Sequence, residues 1–290
     1  MKKTLFANGF ILKIIALLTM TFDHVGLAMT MFGTSPLTDV FRIIGRLALP
    51  LFCFLIVEGV LNTKHFGKYS LRLAIMLVLV STSLLIVGTT DLFGLSSLAS
   101  AGNIFIDLLL GATAVYCLKN KNPWIKALAL LPLLYSGAAF FFESFEINNN
   151  AIVWIIPYFL RGQYNLFSVL ICIMFYIATV LKDALVEAYA NNMHISKEMV
   201  LNDSQDRFLI NVISAIFLAI CTILYYFLKI NFLGSTPLNN MQLYAMLSGI
   251  ILLFYNGKRG YNAKWFQYGS YLYYPVHIGI IGLVIFLITL

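Results

Sequence analysis

An apolar run, FILKIIALLTMTFDHVGLAMTMF, occupies residues 10–32 and indicates the fold class. A helix that crosses a bilayer needs about 20 consecutive apolar residues, so this run is long enough to span. It nevertheless contains three ionisable side chains, Lys13, Asp23 and His24. The run follows a basic start but has no small-residue cleavage site. We therefore interpret it as a retained first helix and not as a signal peptide.

The rest of the chain has the same character. Of its 290 residues, 61% are hydrophobic and 11% are charged, whereas soluble domains average about 25% charged residues. The composition predicts an all-α, polytopic transmembrane helical bundle, which we treat as one membrane domain over residues 1–290. The net charge of +7 does not indicate a nucleic-acid partner, because most basic residues lie in short loops between apolar runs. The four cysteines have no spacing typical of a metal site or a disulfide framework.

The apolar runs predict nine membrane spans. They cover residues 10–32, 40–62, 69–88, 102–118, 124–145, 165–188, 208–230, 240–256 and 267–289. The segment 151–160 is apolar but too short to cross, which makes it a candidate re-entrant or interfacial piece. If it does cross, the number of spans is ten. The polar stretch 189–207 is expected to form a loop on the membrane surface.

Lys and Arg residues predict the orientation. With a cytoplasmic N-terminus, fourteen of the 19 lie at the cytoplasmic side, two lie outside and three lie within spans. Cytoplasmic loops of membrane proteins carry this kind of excess. We therefore expect a multi-pass membrane protein, with its N-terminus cytoplasmic and its C-terminus external.

Ionisable residues inside the predicted spans point to a functional site. A charge at mid-bilayer costs at least about 2.5–3.5 kcal/mol on insertion scales, so such residues usually face a protein interior or a cavity. Besides those of the first helix, they are Arg42, Arg46, Glu58, Asp107 and His277. Arg42 and Arg46 share one helix face at the depth of Asp23, which makes them its natural charge partners.

Each of the more isolated residues also has a simpler interpretation. Lys13 and His24 are separated by about three helical turns and so share a face, about 16 Å apart. Lys13 can instead extend its ammonium group to the lipid headgroups. His277 and Asp107 can equally be hydrogen-bonded packing residues.

Several segments resemble one family in order along the chain. The stretch from Lys13 to His24 resembles the first helix of the TraX family, the conjugative pilin N-acetylases. The further similar segments are RIIGRLALPLF at 42–52, Glu58-Gly59, Asn103-Ile-Phe, YNGKRG at 255–260 and YYPVH at 273–277. YNGKRG and YYPVH are the most specific of these segments. The spacing of Lys13 and His24 is also similar to that of the wider transmembrane acyltransferase superfamily. Many of those enzymes have Arg where this chain has Lys13, and Lys lacks bidentate phosphate recognition.

The resemblance implies a membrane-embedded acyltransferase of the bacterial plasma membrane. It would move an acetyl group from cytoplasmic acetyl-CoA to an amine or hydroxyl of a peptide or cell-envelope acceptor. The implied catalytic residues are His24 as base, Asp23 as its orienter or as the partner of the arginines, and Arg42 and Arg46 at the oxyanion or the acceptor. The implied substrate-binding residues are Lys13, Glu58, Asn256, Lys258, Arg259, Tyr274 and His277. No metal is implied, and the expected partners are the lipid bilayer and the acceptor.

Other functions stay open at this point. Lys258 and Arg259 are equally explained by the positive charge of cytoplasmic loops. The main alternative is a proton-coupled transporter that uses the intramembrane Asp, His and Arg residues. Against it, the sequence has no visible inverted repeat. A membrane assembly factor without chemistry is the third class, and it would have no need of buried charges.

Overall fold

The protein is described here by a computed structural model over residues 5–90, 102–149, 155–233 and 241–289. Within these residues the chain is helical. The only β-type pairing among them is an isolated bridge between Ala7 and Tyr255. The all-α fold predicted from composition is therefore confirmed.

Twelve α-helices make up the described chain. They are α1 (Gly9–Thr30), α2 (Pro36–Gly45), α3 (Ala48–Asn62), α4 (Phe66–Thr90), α5 (Ile104–Lys119), α6 (Pro123–Ala127), α7 (Leu130–Asn149), α8 (Leu166–Met193), α9 (Lys197–Val200), α10 (Asp203–Leu233), α11 (Ser248–Leu252) and α12 (Lys264–Thr289). Two 3-10 turns accompany them, Tyr158–Leu160 and Met241–Leu247.

Seven stretches of the described chain are long and apolar enough to cross a membrane. They are α1, α2 with α3, α4, α6 with α7, α8, α10 and α12. The other two predicted spans coincide with shorter helical stretches, the 16-residue α5 and the apolar segment Met241–Leu252. The chain is thus a multi-pass membrane protein, with helices at all nine predicted positions. Of the predicted re-entrant segment, residues 151–154 lie outside the described part, and the remainder contains only the turn Tyr158–Leu160.

The stretch 189–207 differs from the predicted surface loop. Helix α8 continues to Met193, and α10 already begins at Asp203, with the short α9 between them. Hydropathy detects only the apolar part of a helix, so a helix that continues into water looks like a loop in the sequence. The prediction of a loop over the whole stretch was therefore wrong.

Two backbone hydrogen bonds join connecting segments at opposite ends of the predicted spans. At the start of α1, the amide of Gly9 donates to the carbonyl of Lys258 at 2.8 Å. At the start of α5, the amide of Asn103 donates to the carbonyl of Arg161 at 2.9 Å. In the predicted alternation of nine spans, Gly9 and Lys258 lie on one side of the membrane. Asn103 and Arg161 lie on the other side.

Helices α1 and α2 approach each other closely at Gly45. A Cβ atom added there would overlap the Cβ of Asp23 and lie 2.6 Å from its Cα. Such a contact leaves no room for any side chain, because backbone cannot move aside as a flexible side chain can. Gly45 thereby allows α2 to lie directly against the part of α1 that carries Asp23 and His24.

Candidate functional site

Asp23 of α1 pairs with two arginines, Arg42 in α2 and Arg46 directly after the end of α2. Its side chain is only 5% exposed, and Oδ1 accepts a hydrogen bond from Nη1 of Arg42 at 2.9 Å. The same oxygen forms an ion pair with Nη2 of Arg46. Arg46 also donates from Nη1 to the side-chain oxygen of Gln242 at 3.3 Å. The predicted pairing of Asp23 with both arginines is therefore present in the structure.

His24 faces a different partner, although it follows Asp23 directly. Its Nδ1 lies 2.8 Å from Nε2 of His277, which is only 6% exposed on α12. The other ring nitrogen of His277, Nδ1, lies 2.7 Å from the carbonyl oxygen of Tyr273. The hydroxyl of Tyr273 in turn lies 2.6 Å from that of Thr21 on α1. These contacts attach α12 to α1 next to the Asp23 cluster.

The contacts of His277 determine which ring nitrogens carry protons. A carbonyl oxygen only accepts hydrogen bonds, so Nδ1 of His277 donates to Tyr273. In a neutral ring Nε2 of His277 then accepts, and Nδ1 of His24 donates to it. The lone pair of His24 is consequently on Nε2. This assignment follows from the hydrogen-bond network.

A small cavity lies beside Asp23 and His24. It is lined by Met20, Asp23, His24, Gly45, Ala48, Leu49, Phe52, Ile104, Gln163, Tyr164 and Tyr274. Its volume of about 20 Å³ is sufficient for about one water molecule. An acyl group is larger, so the surrounding side chains have to move before one can bind.

Tyr164, in the connection before α8, is one of the residues that line this cavity. Burial raises the pKa of Tyr164 to about 12, and Arg46 nearby opposes that rise. The phenol therefore stays protonated at physiological pH and can donate a hydrogen bond. Sequence reasoning missed Tyr164, because nothing in its local pattern shows that this connection folds over the site.

Glu58 lies in a second polar cluster, apart from the cavity. Its carboxylate pairs with Arg207 of α10 at 2.6 Å, and the hydroxyl of Tyr255 donates to it at 3.4 Å. The guanidinium of Arg207 also lies 4.4 Å from the ring centroid of Tyr255. Glu58 thus has a cationic partner within the protein, which the sequence did not indicate.

The remaining predicted binding residues lie around the start of α1. The ammonium of Lys13 lies 5.6 Å from the ring centroid of Phe266 and close enough to Arg259 for repulsion. Asn256 uses its side-chain oxygen locally, accepting from the amide of Lys258 at 2.9 Å. In the described part of the chain, no carboxylate lies within 4 Å of Lys13, Lys258 or Arg259. These three cations are called the basic rim below.

The structure therefore separates the predicted residues into three groups. Asp23, His24, Arg42, Arg46, Tyr274 and His277 come together at the cavity and its hydrogen-bonded surroundings. Lys13, Asn256, Lys258 and Arg259 lie near the start of α1, and Glu58 belongs to the Arg207 cluster. Among the described residues, no group of three or more His, Cys, Asp or Glu side chains is placed to hold a metal ion.

Long apolar helices that enclose such a polar cluster define a multi-pass membrane protein with an intramembrane polar site. The chain belongs to the TraX family, because the family model described as TraX protein matches residues 8–224. The resemblance found in the sequence is thereby confirmed. The match covers α1 to α3 and the Asn103 segment, whereas YNGKRG and YYPVH lie beyond residue 224.

One relative is similar over a shorter stretch. It is the probable fimbrial assembly protein FimC, serogroup H1, of Dichelobacter nodosus, with 38% identity over 73 residues. Those residues are 25% of this chain and 30% of the relative, so the chain spans less than a third of that protein. No solved structure matches the chain.

Proposed function

We propose that this protein is a membrane-embedded acyltransferase that moves an acetyl group from acetyl-CoA to an amine or hydroxyl acceptor. The observation that carries the proposal is the hydrogen-bonded chain from the Tyr273 carbonyl through His277 to His24. It leaves Nε2 as the basic nitrogen of His24, and the cavity that His24 lines is also lined by Tyr164 and by Asp23, the partner of Arg42 and Arg46.

His24 acts as the general base in this proposal. Nε2 of His24 takes the proton of the acceptor amine or hydroxyl as the acceptor attacks the thioester carbonyl. A bond forms from the acceptor nitrogen or oxygen to the acyl carbon, and the bond from that carbon to sulfur breaks. The thiolate leaves and takes the proton from His24. His277 orients the ring of His24, as the third group of a catalytic triad orients its histidine.

Positive charge and neutral donors next to His24 suit the oxyanion of this reaction. Arg42 and Arg46 are held by Asp23, and Tyr164, whose hydroxyl is protonated, is among the residues that line the cavity. Donors fixed before the reaction stabilise developing negative charge without reorganising. Asp23 serves in this proposal as the partner of the arginines, because His277 already occupies the orienting position at His24.

The basic rim is the proposed binding site for the phosphates of the acyl donor. Its cations have no carboxylate partners in the described chain, so they can bind an anion without first breaking an ion pair. Helix geometry puts Lys13 about 16 Å from His24 along α1. The long pantetheine arm of acetyl-CoA would cross that distance from the side of the membrane that we propose to be cytoplasmic.

The acceptor is proposed to be a peptide or a polymer of the cell envelope. The TraX match and the fimbrial assembly relative favour a pilin-like peptide among these. The neutral amine of a peptide attacks with its lone pair and gives up a proton as the bond to the acyl carbon forms, which is the proton that His24 takes.

The decisive experiment measures acyl transfer by the purified protein. The protein in detergent or nanodiscs is given labelled acetyl-CoA and an acceptor peptide, and both thiol release and label on the peptide are followed. We expect His24→Gln to abolish transfer and His277→Gln to reduce it by about 10²-fold or more, within the range attributed to general base catalysis. His194→Gln is the matched control, because His194 is an exposed residue at the end of α8.

Two results would contradict the proposal. One is the absence of acetyl-CoA binding and of thiol release with any peptide or sugar acceptor. The other is wild-type transfer by the His24→Gln variant. Solute uptake into proteoliposomes that depends on a pH gradient and on His24 would instead support the transporter.

A further inference from the structure

Asp107 of α5 is a fully buried carboxylate that takes no part in the proposed reaction. Its Oδ1 accepts a hydrogen bond from the hydroxyl of Ser168 at 2.7 Å. Its Oδ2 accepts one from the backbone amide of Tyr164 at 3.1 Å. The backbone amides of Gln163 and Asn165 interact with the same carboxylate. One side chain therefore holds three consecutive amides of the connection that leads into α8.

Close packing leaves this connection little freedom around Asp107. A Cβ atom added to Gly162 would overlap Oδ1 of Asp107. Gly102 has φ +80°, and a Cβ atom there would lie 2.6 Å from the carbonyl oxygen of Gly162. Both glycines are required, because any side chain would push the connection away from the carboxylate.

The backbone of the connection is also held in an unfavourable conformation. Asn165 has φ 47° and ψ −120°, outside the regions that non-glycine residues usually adopt. Such a conformation is unfavourable and persists only where the surroundings impose it. The side chain of Asn165 is fixed as well, since it donates to Glu143 of α7 at 3.0 Å. The contacts around residues 161–165 therefore impose their shape.

This shape brings Gln163 and Tyr164 onto the wall of the cavity that Asp23 and His24 also line. Asp107 itself does not line the cavity. Its hydrogen bond to the amide of Tyr164 connects it to the cavity wall through the backbone of residues 161–165.

We propose that Asp107 is a positioning residue, whose carboxylate fixes segment 161–165 so that Tyr164 lies against the site of acyl transfer. The kinetic part of this inference rests on the proposed function. The placement of the segment does not, so it can be tested separately.

The first test needs no enzymatic activity. Gln163→Cys introduces a thiol at the cavity wall, and its rate of labelling by a small maleimide is measured in membranes. The four native cysteines are buried, so the unsubstituted protein supplies the background. We expect Asp107→Asn to raise this rate about tenfold or more. The side-chain NH2 group of asparagine is a hydrogen-bond donor, and it would face backbone N–H groups of residues 163–165, which are donors as well. Asp39→Asn, at an exposed position of α2, is the matched control.

The second test is kinetic. Asp107→Asn should lower kcat for acetyl transfer about tenfold or more, since small displacements of a reacting geometry have effects of this size. The KM for acetyl-CoA should stay unchanged, because the basic rim lies elsewhere. Asp107→Glu should recover part of kcat. A variant that merely unfolds would lose kcat and binding together with its yield of folded protein.

Ser168→Ala provides a second variant should Asp107→Asn fail to fold. It leaves the carboxylate in place and removes one of its donors, so labelling at position 163 should rise less but in the same direction. Unchanged labelling in every folded variant would overturn the inference, and so would a raised KM with unchanged kcat. If the wild type transfers no acetyl group, the proposed function fails, and the labelling result still decides the position of the segment.

Discussion

Replacing Asp23 with asparagine should destabilise the protein by about 3 kcal/mol. In the native state one carboxylate oxygen serves two arginines, and the side chains of Asp23, Arg42 and Arg46 are 5%, 22% and 11% exposed. Asparagine keeps an acceptor oxygen in nearly the same place but removes the charge. Two guanidinium groups would then stay next to each other without a counter-ion.

The size of the effect follows from these contacts. A hydrogen bond to a charged group contributes about 1.5–3 kcal/mol, so the two together amount to about 3–6 kcal/mol. Removing one partner of a buried ion pair typically costs about 3–5 kcal/mol. We expect the lower end, because asparagine retains weakened hydrogen bonds. At about 2 °C per kcal/mol for a chain of this size, the unfolding midpoint should fall by about 6 °C.

The assay is thermal unfolding of the purified protein in detergent, followed by tryptophan fluorescence. Asp39→Asn is the control, because it removes an exposed carboxylate from α2. Adding Arg46→Met to Asp23→Asn should recover part of the loss, since one of the two unpaired cations is then gone. Equal midpoints for Asp23→Asn and Asp39→Asn would show that the Asp23 carboxylate does not stabilise the two arginines, and so would a further fall in the double variant.

Three further predictions concern other parts of the molecule. Arg207→Met should lower the unfolding midpoint well below that of Arg259→Met, because it leaves the carboxylate of Glu58 unpaired at 14% exposure, a loss of about 3 kcal/mol. Because the pKa of Tyr164 is about 12, its hydroxyl stays protonated up to pH 10. The ratio of wild-type to Tyr164→Phe transfer rates should then stay constant from pH 6 to 10, and a ratio that falls as the pH rises would contradict this. Finally, a cysteine at the exposed position of His65 should react with an impermeant maleimide only from the cytoplasmic side. Labelling in intact cells would reverse the proposed orientation.

The membrane fold could be predicted because its main cause is local in the sequence. A run such as residues 10–32 cannot leave backbone groups unpaired in lipid, so it must form a helix whatever its neighbours do. The details that escaped prediction have a different cause. The predicted single helix over residues 40–62 is divided between α2 and α3, where the amide of Arg46 donates to the carbonyls of Arg42 and Ile43. Hydropathy contains no information about such a break.

The candidate site was predictable only where its partners are close in the chain. Arg42 and Arg46 lie four residues apart on a helix that returns beside α1, so their pairing with Asp23 followed from helix geometry. The contact between His24 and His277 joins residues 253 positions apart. Both were recognised as unusual intramembrane residues, yet nothing in their spacing predicted that they would touch.

Length, hydropathy and the order of its motifs identify this chain as a helical membrane protein of the TraX type with charged residues kept inside its helices. Length and hydropathy are properties of single segments, and the cost of a charge in lipid applies to each residue separately. The pairing of Asp23 with the two arginines also followed from the sequence. The contacts between residues far apart in the chain required the folded structure, which joins His24 to His277 and Glu58 to Arg207 and brings Tyr164 to the cavity wall. They could not be predicted because contacts between helices depend on how each helix is rotated and shifted against its neighbours. Packing at positions such as Gly45 and Gly162 sets that arrangement.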